Sequence, residues 1–106
     1  MKTPTFCIIS TTTDDESIAN LIAATLLQKH LVACVQSHMI QSQYHWQGAL
    51  EKSHETMLQM KSKVSLFEEI KTEIEALHSY DVPEIIMTPI LDGNHEYLEW
   101  LGKELK

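Results

Sequence analysis

The distribution of apolar residues along the chain predicts four strands and three helices. The strand-like stretches are rich in β-branched, aromatic or alternating apolar residues and run from Phe6 to Ile9, Cys34 to Trp46, Glu55 to Lys61 and Ile85 to Leu91. The helical stretches carry inner-face residues three or four positions apart, namely Ile18, Leu21, Ile22, Thr25 and Leu26, then Phe67, Ile70, Ile74 and Leu77, then Tyr97, Leu98, Leu101 and Leu105. The resulting order, β-α-β-β-α-β with a C-terminal helix, predicts a ferredoxin-like α+β fold with an antiparallel sheet covered by helices on one face.

Short motifs predict where these elements begin and end. Thr13-x-x-Glu16 and Ser65-x-x-Glu68 have the pattern of capping boxes, in which side chains satisfy free backbone N–H groups at a helix start. The first helix is expected to end near Lys29 or His30, where basic groups suit the negative end of the helix dipole. Pro89 indicates that the last strand lies at a sheet edge or contains a bulge, because proline cannot donate to a strand ladder.

The second and third strands predict a hairpin, turning at Gln47-Gly48, that is longer than the usual strand of about 5–6 residues. Too much of this hairpin is polar for one small core, so we expect its edge to find a partner. The polar and aromatic residues near its two sides are Tyr44, Trp46, Glu55 and Lys61. The pattern leaves two interpretations open, an ordinary solvated strand pair or the lining of a cleft between subunits.

Length, composition and charge set the class of protein. At 106 residues the chain is predicted to be one domain, residues 1–106. The formal net charge is −7 with the acidic residues spread along the chain, which argues against binding to nucleic acid or to an anionic membrane. No window approaches the ~20 apolar residues of a membrane span, and the first residues carry no apolar leader. We therefore expect a cytoplasmic location.

The number of histidines makes a metal site a hypothesis to consider. The six are His30, His38, His45, His54, His78 and His95. None stands four residues from another in a predicted helix, so most are expected to face solvent, although distant residues or several subunits could still assemble a site. Cys7 and Cys34 lie in β-like apolar runs without a C-x-x-C pair, so both thiols are expected to pack rather than react.

No motif indicates an enzyme. The three glycines form no phosphate-binding loop, and no G-x-S-x-G nucleophile elbow occurs. The enzymatic alternative is an acid–base pair of Glu84 or Glu55 with His78, for which nothing in the sequence fixes a substrate. We therefore expect a protein without catalytic residues.

The stretch HSYDVPEI, from His78 to Ile85, joins the second helix to the last strand. Pro83 ends helical structure and biases Val82 towards extended geometry. His78, Tyr80 and Glu84 add an imidazole, a phenol and a carboxylate, so the same stretch is a candidate cleft loop.

The order of motifs resembles the CutA family of divalent-cation tolerance proteins. The resemblance rests on LVACVQ, YHWQG, HETMLQMKS, HSYDVPEI and GNHEYLEWL, which cover nearly the whole chain in order and at compatible spacing. It implies a cytoplasmic homotrimer of ferredoxin-like subunits, similar to the PII signalling proteins, with clefts between subunits and an association with tolerance of divalent metals, copper especially.

Carried over position by position, the resemblance implies a set of cleft residues. They are Tyr44, Trp46, Glu55, Lys61, Tyr80, Glu84, Tyr97 and Trp100, with His78 as the candidate metal ligand. The family's copper interpretation uses a cysteine after the first strand and a His-His pair at the end of the second helix. Here Ser10 and Leu77 stand at two of these three positions, and one imidazole is a weak copper site.

Three functions follow as hypotheses. The first is a homotrimer that contributes to divalent metal (copper) homeostasis by binding an ion or a small ligand in clefts between subunits. The second is a PII-like regulatory module that binds a small metabolite without a physiological metal site. The third is a structural trimer in which Glu55 and Lys61 form interface ion pairs.

Overall fold

The computed structural model describes residues 4–106 and contains four strands and three α-helices. Residues 1–3, part of the stretch in which no apolar leader was found, lie outside the described residues. The elements are β1 (Phe6–Thr13), α1 (Glu16–Gln28), β2 (Cys34–Trp46), β3 (Ala49–Lys63), α2 (Phe67–Leu77), β4 (Ile85–Pro89) and α3 (His95–Glu104), with a 3₁₀ turn at Val64–Leu66. The predicted α+β order is confirmed.

The strands form one antiparallel sheet in the order β2-β3-β1-β4. At its centre Ile9 pairs with Met60 on one side and with Met87 on the other. Strand β1 extends beyond its predicted end at Ile9 because the threonines that follow pair with β3 through Thr13. Threonine is β-branched and suits a pleated strand, so the strand continues through these polar residues, whereas the prediction ended it at Ile9.

The main core lies between one face of the sheet and helices α1 and α2. Ile9 and Met60 point from the sheet, Ile22 comes from α1 and Ile70 from α2, and all four are fully buried. Burying each such side chain contributes roughly 1.5–3 kcal/mol. Leu21, predicted on the inner face, is half-exposed, because it lies about 100° around the helix from Ile22.

Both predicted capping boxes are wrong. Helix α1 is capped by Asp15, whose Oδ1 accepts from the N–H of Ser17 at 2.9 Å and of Ile18 at 3.3 Å, while Thr13 still belongs to β1. Helix α2 follows the 3₁₀ turn directly, and its N-cap, Leu66, makes no capping bond through its side chain. In both cases the preceding element includes the residue predicted as the cap, since Thr13 lies in β1 and Ser65 lies in the 3₁₀ turn.

Helix α3 packs on the other face of the sheet, whereas the prediction had helices on one face. Its Tyr97 approaches Cys34 and Lys61, which pair with each other across β2 and β3. Because successive strand residues point to opposite faces, Lys61 faces away from the core side of Met60. We call this second side the open face. Helix α3 covers one end of it.

The hairpin turn and the edge strand agree with the prediction. Gln47 and Gly48 both adopt positive φ, 50° and 80°, as a two-residue type I′ turn requires. Pro89 ends β4, which is an edge strand, so its missing N–H removes no bond from the interior of the sheet.

Candidate functional site

A cleft of about 600 Å³ lies at the end of the open face that α3 does not cover. Strand β1 and the hairpin contribute Thr12, Ser42, Gln43, Tyr44, Trp46 and Glu55 to its walls. The loop between α2 and β4 contributes Ser79, Tyr80, Asp81, Val82 and Glu84. Its volume falls in the range of small-molecule sites, which is about 300–1,000 Å³.

The two walls of the cleft are joined by a hydrogen bond between side chains. The Tyr80 hydroxyl donates to Glu55 Oε2 at 2.8 Å. Glu55 lies within β3 and is only 5% exposed, so its position is fixed by the strand. A buried carboxylate requires a donor, and Tyr80 supplies one from the loop.

Burial and this bond together keep Tyr80 protonated. Burial and then the hydrogen bond to Glu55 raise the pKa of Tyr80 well above its usual value near 10. Ionising the phenol would place a second negative charge beside the carboxylate. Tyr80 therefore remains a donor at every physiological pH.

His78 holds the start of this loop against β1. Its Nε2 lies 2.8 Å from the carbonyl oxygen of Thr12, and its Nδ1 lies 3.0 Å from the backbone nitrogen of Tyr80. A carbonyl only accepts and an amide N–H only donates, so Nε2 carries the proton and Nδ1 accepts. The imidazole therefore links β1 to the loop two residues before the Tyr80 phenol.

The potential metal donors of residues 4–106 do not form a chelate, because no three His, Cys, Asp or Glu side chains of this range converge closely enough to hold an ion. Both ring nitrogens of His78 are engaged by backbone groups, so a metal would have to displace one of these bonds. The role of His78 as a metal ligand stays a prediction, and the described residues of one chain do not fit a resident copper ion.

The predicted cleft residues fall into two groups. Tyr44, Trp46, Glu55, Tyr80 and Glu84 line the cleft. Lys61, Tyr97 and Trp100 belong to a cluster under α3. Glu55 and Lys61 occupy the same face of β3 six positions apart, which corresponds to about 20 Å along a strand. They do not form an ion pair within the described chain.

The cluster under α3 has its own contacts. The Lys61 Nζ bonds Gln36 Oε1 at 2.9 Å and lies 5.8 Å from the centre of the Tyr97 ring, a cation–π distance. The Tyr97 hydroxyl lies 3.7 Å from Cys34 Sγ, and burial, then this contact, raises the pKa of Tyr97. Trp100 packs on Tyr97 with ring centres 5.5 Å apart. These contacts dock α3 onto the sheet.

The sequence missed several cleft residues. Thr12 lies beyond the predicted end of the first strand and was not assigned a role, but it is a strand residue on the open face and lines the cleft. Ser42 and Gln43 lie in the hairpin next to Tyr44, and Ser79, Asp81 and Val82 lie in the loop between α2 and β4. None of them belongs to a distinctive motif, so only their position beside the predicted residues could have indicated that they line the cleft.

Fold and site together define a ferredoxin-like α+β protein with a ligand-sized cleft between a long β-hairpin and the loop before its last strand. Residues 7–104 match the family model described as "CutA1 divalent ion tolerance protein". The chain belongs to this CutA1 family.

Individual relatives support the assignment. The divalent-cation tolerance protein CutA of Thermus thermophilus is 39% identical over 95 residues, covering 89% of this chain and 92% of that protein. The crystal structure of CutA1 from the psychrotrophic bacterium Shewanella sp. SIB1 superposes with a TM-score of 0.93 at 35% identity and covers 98% of both chains. The CutA of Archaeoglobus fulgidus, described as periplasmic, gives a TM-score of 0.93 at 34% identity over 95% of this chain and 99% of that one. Within residues 4–106, each helix is too short or too polar to cross a membrane.

Proposed function

We propose that the chain forms a homotrimer that contributes to divalent-metal homeostasis by binding an ion or a small ligand in clefts to which neighbouring subunits contribute. The cleft itself carries the proposal. It has the volume of a ligand site, a buried carboxylate and three aromatic side chains, and it lies at one end of a sheet face that α3 leaves uncovered. Relatives named for divalent-cation tolerance support the metal-related role.

The uncovered part of the open face supports assembly. Ile86 of β4 is 52% exposed there, beside Ser10 of β1. Leu50, near the hairpin tip, is 66% exposed on the opposite face of the hairpin. A long edge strand such as β2 also offers unpaired backbone groups to a neighbour.

Size-exclusion chromatography with light scattering tests the assembly. We expect a mass close to three times the 12.1 kDa of one chain. Ile86→Lys should lower this mass, whereas Leu21→Lys, at a half-exposed position on the opposite helical layer, should leave it unchanged. A wild-type monomer would remove the homotrimer from the proposal.

A Cu²⁺ titration by calorimetry tests the metal part. Because one chain lacks a chelate among its described residues, a bound copper ion would need donors from more than one subunit or from the carboxylates of the cleft. Binding that weakens in Glu55→Gln would support an ion in the cleft. Heat changes no larger than those of dilution would exclude copper.

The second candidate is a PII-like regulatory module that binds a metabolite. The observation in its favour is that the cleft is large enough for a small molecule, while no three metal donors converge among residues 4–106. The same observation argues against a resident metal ion. A thermal-shift screen of metabolites tests it, because a ligand that binds the native state raises the apparent stability. We retain the cytoplasmic location as part of both proposals, and fractionation of cells tests it.

A further inference from the structure

The charges and aromatic faces of the cleft identify the class of small ligand that it suits. We propose that the cleft binds a linear aliphatic di- or polyamine, whose ammonium groups meet separate carboxylates and whose methylene chain packs on aromatic and apolar side chains. This inference rests on the proposed function, since it names the ligand class of the same cleft.

The charged residues of the cleft wall all have one sign. Glu55, Asp81 and Glu84 contribute carboxylates, and no lysine, arginine or histidine is among the residues that line it. Anionic ligands such as phosphates and carboxylates are normally held by Arg or Lys. The cleft therefore repels anions and attracts cations.

Glu55 supplies a carboxylate that is held in place before a ligand arrives. It is almost fully buried, and Tyr80 engages its Oε2. Among residues 4–106, this is the hydrogen bond that its side chain makes, which leaves Oε1 to accept from a ligand ammonium. A preorganised acceptor of this kind reduces the ordering that binding requires.

Two aromatic side chains favour an ammonium over a neutral group. Tyr44 and Trp46 line the cleft and keep 38% and 41% of their surface exposed, so their faces remain available. An ammonium ion over such a face is attracted by the negative face of the ring. Val82, 71% exposed, gives the methylene chain an apolar neighbour in the loop.

The absence of a three-donor cluster among the described residues distinguishes an amine from a metal ion. A divalent metal needs several oxygens at one point, and no group of three donors forms among residues 4–106. A diamine carries its two charges several bonds apart, so each ammonium group needs one carboxylate and not a cluster of three. The acidic cleft with its aromatic side chains therefore fits the organic cation better.

Three four-carbon probes test the inference by NMR on the assembled protein at physiological salt. They are 1,4-diaminobutane, the neutral 1,4-butanediol and the dianion succinate. We expect the diamine to shift the amide signals of residues 79–82 and 84 saturably, the diol to bind at least tenfold more weakly, and succinate to leave these signals unchanged. Equal binding of diol and diamine, succinate binding, or no shift with the diamine would overturn the proposal.

Matched variants that each remove one carboxylate test which of them binds the diamine. Glu55→Gln and, on the exposed loop, Glu84→Gln should each weaken diamine binding about fivefold. Glu96→Gln, which makes the same charge change on α3 outside the cleft, should have no effect. Equal weakening by all three would indicate general attraction to an acidic surface and would overturn the proposal.

The outcome is separable from that of the proposed function. The cleft residues come from one chain, so diamine binding by a protein that elutes as a monomer would uphold this inference and remove the trimer. A trimer that does not bind the diamine but binds copper or another metabolite would uphold the proposed function and overturn this inference.

Discussion

Tyr80 and Glu55 tie the loop after α2 to the hairpin through a 2.8 Å hydrogen bond between two residues that line the cleft. The phenol comes from a segment without regular structure, and the carboxylate comes from a strand. The loop therefore takes its position from the sheet. Disturbing either group should alter both the stability of the protein and the shape of the cleft.

Removing the phenol hydroxyl should destabilise the fold. Tyr80→Phe leaves the buried Glu55 carboxylate without its donor, which costs about 1–3 kcal/mol. Urea denaturation at a fixed chain concentration measures the loss. Tyr44→Phe is the matched control, since Tyr44 is exposed, and we expect it to change the free energy of unfolding by less than about 0.5 kcal/mol. Equal effects of the two variants would contradict the role given to Tyr80.

The ionisation of the tyrosines should reveal the same bond. The native pKa of Tyr80 lies above the unfolded value near 10, so its contribution to stability is complete below pH 10 and is lost as pH rises through the native pKa. Absorbance at alkaline pH should show Tyr80 ionising late, and Tyr80→Phe should remove part of this late phase. Loss of the phase that ionises near pH 10 instead would contradict the assignment.

His78 should act through the backbone rather than through copper. His78→Ala removes one hydrogen bond to Thr12 of β1 and one to the Tyr80 amide within the loop, which should lower the free energy of unfolding by about 1–3 kcal/mol. Because both ring nitrogens are engaged, we expect the calorimetric Cu²⁺ isotherm to match that of wild type. His95→Ala, at an exposed position on α3, is the control for loss of an imidazole. Copper affinity reduced in His78→Ala alone would make His78 a ligand.

The start of α1 should respond to pH through Asp15. Hydrogen bonds from the Ser17 hydroxyl and the Ile18 backbone hold the pKa of this carboxyl below its usual value. Its stabilising effect is therefore present above the unfolded pKa and is lost as pH falls through the native pKa. Asp15→Ala should lower the thermal midpoint at neutral pH, whereas Asp15→Asn, which keeps a capping oxygen, should largely preserve it. Asp14→Ala is the control, and a loss as large as that of Asp15→Ala would contradict the cap.

Two glycine substitutions should have opposite signs. A methyl group on Gly48 would meet nothing within 4 Å, yet φ is +80°, so Gly48→Ala should cost about 1–2 kcal/mol through backbone strain alone. Gly102 lies within α3, and a methyl group there would meet the Phe6 ring at an ordinary 3.5 Å. Gly102→Ala should therefore stabilise the protein by up to about 1 kcal/mol. Chemical denaturation measures both, and the same sign for both would contradict the argument.

The element order could be predicted because it depends on apolar periodicity and on a few turn signals. The alternation through Ile9 and the helical spacing through Ile70 and Ile74 survive in the structure as the main core. The capping boxes failed because the capping motif specifies side-chain types and not where the preceding element ends. Thr13 looked like a cap, but pairing with Thr56 kept it in the strand.

The cleft could be predicted in part. Tyr44, Glu55 and Tyr80 were assigned through a family resemblance, and all three line it. Lys61 was grouped with them through the hairpin pattern and the resemblance, although its spacing of six residues from Glu55 corresponds to about 20 Å along one strand. The bond between Tyr80 and Glu55 joins residues 25 positions apart and depends on tertiary structure, so no local pattern predicts it.

The two edges of the sheet differ in what they allow. Strand β4 has five residues and ends at Pro89, whereas β2 has thirteen and runs the length of the hairpin. The β2 edge therefore offers a longer run of unpaired backbone groups than the β4 edge. In the proposed trimer, whose cyclic contacts would join two different surfaces of neighbouring subunits, the hairpin side would supply the longer of the two contact edges.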